Sequence, residues 1–448
     1  MAAKFSVKRR NPQLITPSKQ TPREIKQLSD VDDQNSLRCY YPIIMFYPNN
    51  PFCMKGKDQD PVRLIREAIA QALVYYYPLA GRLIEGQNGK LMVDCTAEGV
   101  VFVEADAEVS LEQIRNFMQP PCPEELLIDV PAAASGILGC PLMLIQVSRL
   151  ICGGFVFAIR TNHVITDGGG LVQFLNAISQ LIKGASYPSP LPLWRRDILR
   201  ARNPPHVSYK HNEYEVVTKG TIISSSLDDL AHDHLVHETF FFGPKEIKSI
   251  KNHLSPQIIH SSIATFDLIT ACLWRSRVIA LEFEPDELVS VTIMSTVRRK
   301  NGIKLPQGYY GNTVVSSSNE SKAKMLINNS IDYSIELVKK ARIQVDEDYA
   351  RSVIDYMVLN GKPGFYSRNN LAVSDVSKIG IQQVDFGFGK PVYGGIMDGG
   401  TFYQCIYSNY RSKEGEEGLV VPICLPFQAM ERFREQVTKL THNITSSL

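Results

Sequence analysis

The sequence predicts an α/β protein with two domains of similar build, and three observations support this. The chain has 448 residues, which is more than one hydrophobic core usually organises, so two domains of roughly 200 residues each are expected. Segments with strand patterning alternate with segments of helical periodicity in both halves. Between the halves lies YPSPLPLWRRDILRARNPPHVS (187–208), which is rich in Pro and Arg. It shows neither the alternation of a strand nor the periodicity of a helix.

The domain boundaries follow from this Pro- and Arg-rich stretch. We predict a first domain over residues 1–190, a crossover linker over residues 191–215 and a second domain over residues 216–448. Linkers between domains are commonly rich in proline and polar residues, and few contacts cross them.

The first half begins with an amphipathic helix. DPVRLIREAIAQALVYYYPLAGRL opens with Asp60 and Pro61 as a helix start, and apolar residues recur at helical spacing until Pro78. KLMVDC and GVVFVEA are typical of strands, and PLMLIQVSRL and GGFVFAIRTNHV, joined by a short Cys-Gly-Gly turn, predict a β-hairpin. GLVQFLNAISQLIKG then returns to helical spacing and stops at Gly184.

The second half repeats this mixture. TFDLITACLWRSRVIAL (265–281) predicts a helix, ELVSVTIMSTV (287–297) a strand, and residues 334–345 a further long helix. Strand patterning returns between residues 370 and 424. Strand and helical patterns therefore alternate in both halves, which predicts the α/β class for each domain.

Charge and cysteine content argue against several classes of protein. With 48 basic and 46 acidic residues the net charge is +2, which offers no general attraction for nucleic acid or for an anionic membrane. Nine cysteines without a C-x-x-C pair indicate reduced thiols rather than a disulfide framework or a zinc site. No apolar run approaches about 18 residues, so we expect a cytoplasmic protein that neither binds nor spans a membrane.

The end of the predicted hairpin, FVFAIRTNHVITDGGG (155–170), carries the most chemical information. An ionisable residue, His163, ends a strand that is otherwise apolar, and Asp167 follows directly before three glycines. Histidine is well suited to take up and return a proton near neutral pH, and the bare backbone from Gly168 onward leaves room for a bulky substrate. A lone histidine on an apolar strand is also often a satisfied core residue, so the spacing alone leaves both interpretations open.

Two other kinds of site do not fit these residues. A metal site needs three or four converging ligands, and His163 has no His or Cys partner at ligand spacing. A serine hydrolase of the α/β type needs a nucleophile in a G-x-S-x-G turn, which the sequence lacks. What remains is a single general base that acts on a nucleophile supplied by the substrate.

A second segment, NNLAVSDVSKIGIQQVDFGFGKPVYGG (369–395), identifies a family. Its DFGFG, which begins at Asp385, resembles the DFGWG motif of the plant BAHD acyl-CoA-dependent acyltransferases. The HVITDG that begins at His163 resembles their HxxxDG motif, and the two motifs stand in the expected order and separation. SDVSK and VYGG, on either side of DFGFG, are most similar to the small-alcohol subgroup, which includes benzyl alcohol benzoyltransferases and hexenol acetyltransferases.

The resemblance covers nearly the whole chain. Further segments similar to the family are YYPLAGRL (76–83), LPLWRRDIL (191–199), TFDLITACLWRSR (265–277) and VRRKNGIKLPQGYYGN (297–312). It implies two chloramphenicol-acetyltransferase-like domains, each a mixed β-sheet flanked by helices, with a solvent channel between them and His163 midway along it. A segment after about residue 388 would rejoin the first domain.

The activity implied by the resemblance is transfer of a benzoyl, acetyl or similar group from acyl-CoA to a small or alkaloid-type alcohol in plant specialised metabolism. His163 would act as general base in a ternary complex without an acyl-enzyme. Acyl-CoA would be a co-substrate of a monomeric enzyme that holds no bound cofactor and no metal. An N-acyltransferase that acts on an amine, and an inactive homologue that only binds a ligand, are the alternatives.

The resemblance also implies supporting roles. Asp167 would pair with Arg298 and fix the loop that aims His163, while a charge relay from Asp167 to His163 is the rival assignment. Structural support is further expected from the motif residues Gly168, Asp385, Gly387 and Gly389. Candidate CoA contacts are one hydroxyl and several cations, namely Thr265, Arg299, Lys300, Lys304 and Lys378.

Two positions depart from the family pattern. Phe388 stands in place of the family tryptophan, which removes an indole N–H but keeps an aromatic ring for packing. Thr296 stands where the family often has asparagine ahead of the arginine, which puts one nearby hydrogen bond in doubt.

Overall fold

The computed structural model describes residues 5–50, 60–129, 136–214, 234–260, 262–298, 300, 302–364 and 367–442. The chain forms two compact units, each assembled from three stretches of sequence. Unit 1 comprises Met1–Ala201, Lys304–Thr313 and Ser377–Asp398, and unit 2 comprises Arg202–Ile303, Val314–Val376 and Gly399–Leu448.

This division differs from the predicted linker over residues 191–215. Its first part belongs to unit 1, because Arg196 is only 1% exposed and pairs there with the fully buried Asp32. Its second part leads into unit 2, where His211 is fully buried. Prolines and arginines in this stretch therefore mark packed irregular structure rather than a spacer.

The later parts of the chain that rejoin unit 1 also differ from the prediction. Ser377–Asp398 rejoins unit 1 and begins before residue 388 rather than after it. A second segment, Lys304–Thr313, returns as well and was not expected from the sequence. This second return brings residues of the YYGN stretch into the unit that contains His163.

The strands are numbered here in chain order. They are β1 Val7–Arg9, β2 Gln13–Ile15, β3 Ile25–Gln27, β4 Tyr40–Tyr47, β5 Arg82–Glu85, β6 Leu91–Asp94, β7 Val100–Ala107, β8 Met143–Leu150, β9 Phe155–Asn162, β10 Leu235–Phe242, β11 Leu288–Thr296, β12 Val314–Lys322, β13 Asn370–Asp375, β14 Tyr393–Ile396, β15 Gln404–Arg411 and β16 Glu417–Pro426.

The α-helices within the described ranges are Pro61–Tyr75, Gly168–Ile182, Pro244–Lys251, Pro256–His260, Thr265–Ala280, Ala323–Asn328, Ile331–Ile343, Glu347–Leu359 and Phe427–Thr441. Short 3₁₀ turns add Asn35–Leu37, Tyr77–Ala80, Gln87–Gly89, Arg115–Phe117, Glu124–Leu126, Arg196–Leu199 and Ile381–Gln383. No helix among the described residues is long and apolar enough to cross a membrane.

Unit 1 is built on a mixed sheet with the strand order β1-β7-β8-β9-β4-β14, in which β2 also pairs with β7. A smaller sheet has the order β3-β6-β5. Strand β9 lies between β8 and β4 and is antiparallel to both. This central position explains its nearly continuous apolar sequence, since all but one of its residues are buried.

Unit 2 contains a mixed sheet with the order β10-β16-β15-β13-β11-β12. Its β11–β13 and β13–β15 pairs are parallel, while the other pairs are antiparallel. Helix Thr265–Ala280 contributes Trp274 and its apolar neighbours to the core of this unit. Both units thus have the α/β build that the sequence predicts.

The elements with strong local patterns are confirmed. The hairpin is formed by β8 and β9, and the first helix is Pro61–Tyr75, with Asp60 as an N-cap that accepts a hydrogen bond from the Val62 N–H. Strand β12, VVSSSNESK, was not predicted because seven of its nine residues are polar. Its Ser317 is buried and donates a hydrogen bond to the Ala341 carbonyl at 2.8 Å, which satisfies the hydroxyl inside the unit.

We predict that Phe386→Ala lowers the free energy of unfolding by about 3–5 kcal/mol, the usual effect of removing a fully buried ring. Phe386 is 0% exposed and packs against Tyr47 and Phe157 in unit 1. Urea unfolding followed by tryptophan fluorescence measures the change. Phe427→Ala is the matched control, because Phe427 is 56% exposed; equal effects of both substitutions would contradict the prediction.

Candidate active site

His163 is the first residue after β9, at the point where this buried strand leaves the sheet. Its backbone N–H donates to the Cys39 carbonyl at 2.8 Å, which ties the exit to the residue before β4. A short turn follows, and Asp167 then starts helix Gly168–Ile182. The predicted strand-to-loop exit is confirmed, and the partly exposed imidazole lies edge-on to Tyr41, with 4.7 Å between ring centroids.

One ring nitrogen of His163 has a side-chain partner that the sequence did not suggest. Nδ1 lies 3.0 Å from Oδ1 of Asn312, and Nδ2 of Asn312 donates to the His163 carbonyl at 2.7 Å. An amide oxygen accepts but does not donate, so this contact assigns the proton to Nδ1. The neutral ring then carries its lone pair on Nε2, which is the form a general base requires.

Burial lowers the pKa of His163 below its ordinary value of 6.5, although Asp167, Asn312 and Asp32 act in the opposite direction. His163 is therefore neutral at neutral pH and able to accept a proton.

Asp167 joins two parts of unit 1. It is 5% exposed, and its Oδ1 accepts from the Gly170 N–H at 2.8 Å as the N-cap of helix Gly168–Ile182. Its Oδ2 accepts from the N–H and the hydroxyl of Thr313, at 3.1 and 2.7 Å. These contacts support the structural role, since the described partner of His163 Nδ1 is Asn312 rather than Asp167.

The predicted partner of Asp167, Arg298, belongs to unit 2 and follows strand β11. Its backbone N–H donates to the hydroxyl of Thr296 at 3.2 Å, so threonine supplies a hydrogen bond at the position where the family often has asparagine. The pairing of Asp167 with Arg298 stays a prediction.

The glycines after Asp167 serve the fold of the chain itself. A Cβ at Gly170 would lie 2.1 Å from the Tyr310 carbonyl oxygen and 2.2 Å from the hydroxyl oxygen of Thr166. At Gly168 a Cβ would lie 3.1 Å from the side chain of Ile379. The expectation that these glycines make room for a substrate is therefore wrong at Gly170, where the chain's own backbone occupies that space.

The second motif forms a tight loop around the Asp385 carboxylate. Oδ1 accepts from the N–H groups of Gly387 and Gly389 at 2.9 and 2.8 Å, and both glycines have φ near +90°. Oδ2 lies 2.9 Å from Nζ of Lys183. Burial acts to raise the pKa of Asp385, but the bonds from Lys183 and Gly387 outweigh it and hold this pKa below its ordinary value.

The loop binds the far end of the helix that begins beside His163. Besides the contact with Lys183, the Asp385 carbonyl accepts a hydrogen bond from the Ser179 hydroxyl at 2.6 Å. Helix Gly168–Ile182 has 15 residues and is therefore about 20 Å long. Asp385 therefore contacts this helix near the end opposite to Asp167, which supports a scaffold role.

Phe388 keeps the packing expected of the family tryptophan. Its ring meets Phe155 of β9 edge to face, with 5.3 Å between centroids. Its neighbour Phe386 contacts Tyr47 and Phe157 on the adjacent strands β4 and β9. The aromatic residues of DFGFG thus pack the loop against the central strands of unit 1.

The candidate CoA contacts are distributed over both units. Exposed Lys304 and Lys378 belong to unit 1. Lys300 and Thr265, which is exposed at the start of helix Thr265–Ala280, belong to unit 2. Arg299 lies outside the described residues. Their contacts with CoA stay predictions.

The sequence interpretation missed Asn312, Asp32 and Arg196, which lie beside or behind the imidazole. Asp32 Oδ1 accepts from the backbone N–H and from Nδ2 of Asn312, both at 2.9 Å, and from Nη1 of Arg196 at 3.2 Å. The local signals were a Gly-Asn pair at the end of the family-like segment 297–312 and, for Arg196, its place in the family-like segment 191–199. In the part of the chain that the structure describes, no cluster of His, Cys, Asp and Glu could hold a metal ion.

Solved structures share this fold. Vinorine synthase superimposes with a TM-score of 0.70 at 19% identity, covering 97% of this chain and 98% of the other. F. graminearum TRI101, solved with coenzyme A and deoxynivalenol, superimposes with a TM-score of 0.74 at 15% identity, covering 93% and 99%. At these levels of identity, the superpositions show that the fold is shared.

Sequence comparison identifies the family. A model described as "Transferase family" matches residues 5–440. Benzyl alcohol O-benzoyltransferase of Petunia hybrida is 49% identical over 97% of this chain and 94% of its own length, and alcohol acyltransferase 16 of Actinidia chinensis var. chinensis is 47% identical over 98% and 94%. The chain belongs to this family, the plant BAHD acyl-CoA-dependent acyltransferases.

We predict that Asp167→Asn lowers stability more than it lowers turnover. The substitution weakens the bonds to Gly170 and Thr313, which we expect to cost about 1–2 kcal/mol of unfolding free energy, while kcat falls less than about 10-fold because the base is retained. Urea unfolding and steady-state kinetics test both effects.

Asp346→Asn is the matched control for this substitution. Asp346 also caps a helix, Glu347–Leu359, by accepting from the Tyr349 N–H, but it is exposed and lies in unit 2. A large loss of kcat in Asp167→Asn with unchanged stability would instead favour the charge relay.

Proposed function

We propose that this protein transfers an acyl group from acyl-CoA to the hydroxyl of a small alcohol and that His163 is its general base. The observation that carries the proposal is the contact between Nδ1 of His163 and Oδ1 of Asn312, at 3.0 Å. It leaves the lone pair on Nε2, where it can accept a proton. The relatives named as benzyl alcohol and alcohol acyltransferases support the choice of an alcohol.

The reaction needs one proton acceptor and no other chemical group from the protein. As the alcohol oxygen attacks the thioester carbonyl, Nε2 of His163 takes the hydroxyl proton. When the tetrahedral intermediate collapses, the C–S bond breaks and the imidazolium returns the proton to the departing CoA thiolate. The ester and CoA–SH are the products, and the histidine ends neutral, as it began.

The donor and the acceptor are proposed from chemistry and from relatives. Benzoyl or acetyl groups are the expected donors, and small aromatic or aliphatic alcohols are the expected acceptors, as in the names of the relatives. Crystallised TRI101 carries coenzyme A, which supports acyl-CoA as the co-substrate of this chain. Lys300, Lys304 and Lys378 are proposed to meet the CoA phosphates.

A matrix of donors and acceptors tests the proposed function. We expect purified full-length protein to release free CoA thiol from acetyl-CoA or benzoyl-CoA only when an alcohol is present, with the ester detected by mass spectrometry. His163→Ala should lose about 10²- to 10⁴-fold in kcat, and its CoA affinity should stay within about 2-fold because a neutral imidazole adds no charge for the phosphates.

Three results would contradict the proposal. Thiol release that depends on an amine rather than an alcohol would indicate N-acylation. No turnover with any donor, together with no thermal shift by CoA, would indicate an inactive homologue. Near-wild-type kcat in His163→Ala would remove His163 as the base.

We predict that kcat/KM falls on the acid side with an apparent pKa below 6.5. Protonated His163 cannot accept a proton, and burial lowers its pKa, so the neutral form persists as the pH falls past 6.5. Activity should therefore be nearly constant above pH 6.5 and decline below it. CoA binding to His163→Ala over the same pH range corrects for titration of the ligand, and an inflection above 6.5 would contradict the prediction.

A further inference from the structure

A chain of hydrogen bonds leads from the imidazole into the interior of unit 1. Nδ1 of His163 contacts Asn312, whose backbone N–H and Nδ2 both donate to Asp32 Oδ1. Asp32 in turn accepts from Nη1 of Arg196 at 3.2 Å. Asp32 is 0% and Arg196 is 1% exposed, so a carboxylate and a guanidinium lie buried behind the proposed base.

We propose that the buried Asp32–Arg196 pair is a positioning device that selects the Nδ1–H tautomer of His163, by forcing Asn312 to turn its amide oxygen toward the ring. The inference rests on the proposed function of His163 as general base. Asp32 and Arg196 do not touch the reacting atoms and are positioning residues, as is Asn312.

The orientation of the amide follows from what Asp32 can accept. Its Oδ2 receives the N–H and hydroxyl of Ser29 at 3.0 and 2.7 Å, and its Oδ1 receives Asn312 and Arg196. A carboxylate held by five donors has no proton to offer an amide oxygen. The NH₂ group of Asn312 must therefore face Asp32, with its second hydrogen directed to the His163 carbonyl.

A flipped amide would create two repulsive contacts. Its oxygen would face Asp32 Oδ1 at the present 2.9 Å and the His163 carbonyl oxygen at 2.7 Å. Its NH₂ group would then point at Nδ1 and favour the opposite tautomer, in which Nε2 carries the proton and cannot act as a base. The Asp32 carboxylate thus determines which ring nitrogen of His163 carries the proton, although it does not contact the ring.

Arg196 keeps the carboxylate in place and shapes the segment that carries Asn312. Its Nη2 donates to the Ile165 carbonyl at 2.8 Å, in the turn after His163. The guanidinium occupies the space that a side chain at position 311 would need, because a Cβ on Gly311 would lie 1.1 Å from Nη1 of Arg196. The guanidinium therefore links the turn, the Gly-Asn pair and Asp32.

Asp32→Asn tests the proposal, with Asp355→Asn as its matched control. Asp355 is also 0% exposed and accepts from Nε of Arg202 at 2.7 Å, but it lies in unit 2 and has no described contact with His163. Two readouts are used on full-length protein: the ring ¹⁵N shifts of His163, assigned by comparison with His163→Gln, and the kinetic constants for acyl-CoA and alcohol.

We expect Asp32→Asn to show Nε2–H signal for His163 and to lower kcat at least about 10-fold, with KM for acyl-CoA within about 2-fold. Asp355→Asn should keep the wild-type tautomer and kcat. Asp32→Glu, which keeps the charge, should recover part of the loss. Unchanged ¹⁵N shifts and kcat in folded Asp32→Asn would overturn the proposal.

Asn312→Ala is a second test for the case in which Asp32→Asn does not fold. It leaves both buried charges, Asp32 and Arg196, in place. It should give a mixture of tautomers and a similar drop in kcat, whereas Asn370→Ala should give neither. Asn370 is another buried amide, which accepts from Ser290 and Thr292 in unit 2. A pure Nδ1–H ring in Asn312→Ala would overturn the proposal.

The wild-type spectrum separates this inference from the proposed function. An Nε2–H signal for His163 in the wild-type protein overturns the inference whatever the activity. If the wild-type protein shows Nδ1–H but no alcohol-dependent thiol release, the proposed function fails and the positioning of the ring stands.

Discussion

The Asp167 carboxylate is the contact on which the arrangement around His163 depends. Its two oxygens join the first turn of helix Gly168–Ile182 to Thr313, a residue 146 positions further along the chain. Thr313 directly follows Asn312, so the same bonds fix the backbone that carries the amide beside the imidazole. A residue that caps a helix thereby also holds the partner of the base in place.

His211, another histidine of this chain, shows that hydrogen bonds to a ring do not by themselves make it a base. In unit 2, Nε2 of His211 lies 2.8 Å from the Ser352 hydroxyl and Nδ1 lies 3.2 Å from Glu213. Ser352 accepts two backbone N–H groups and donates its proton to the ring, and His211 is fully buried. Both ring nitrogens of His211 are thus used by hydrogen bonds inside unit 2. In His163, Nε2 has no partner among the described residues.

Local patterns predicted much of the fold. The hairpin of β8 and β9 and the helix after Asp60 follow from alternation, periodicity and capping, which depend on neighbouring residues. The polar strand β12 and the packed segment around Arg196 were missed, because their burial depends on hydrogen bonds to residues distant in sequence. Domain boundaries were misplaced for the same reason, since composition does not reveal that Lys304–Thr313 returns to unit 1.

By itself, the sequence determined the α/β class and the ionisable His163 at the end of an apolar strand. These features depend on residues that are close together in the sequence. Only the tertiary structure decided what aims the imidazole, because Asn312 lies 149 positions from His163 and 280 from Asp32. An amide, a carboxylate and a ring so far apart in sequence acquire a shared orientation only when the fold places them in one buried hydrogen-bond chain.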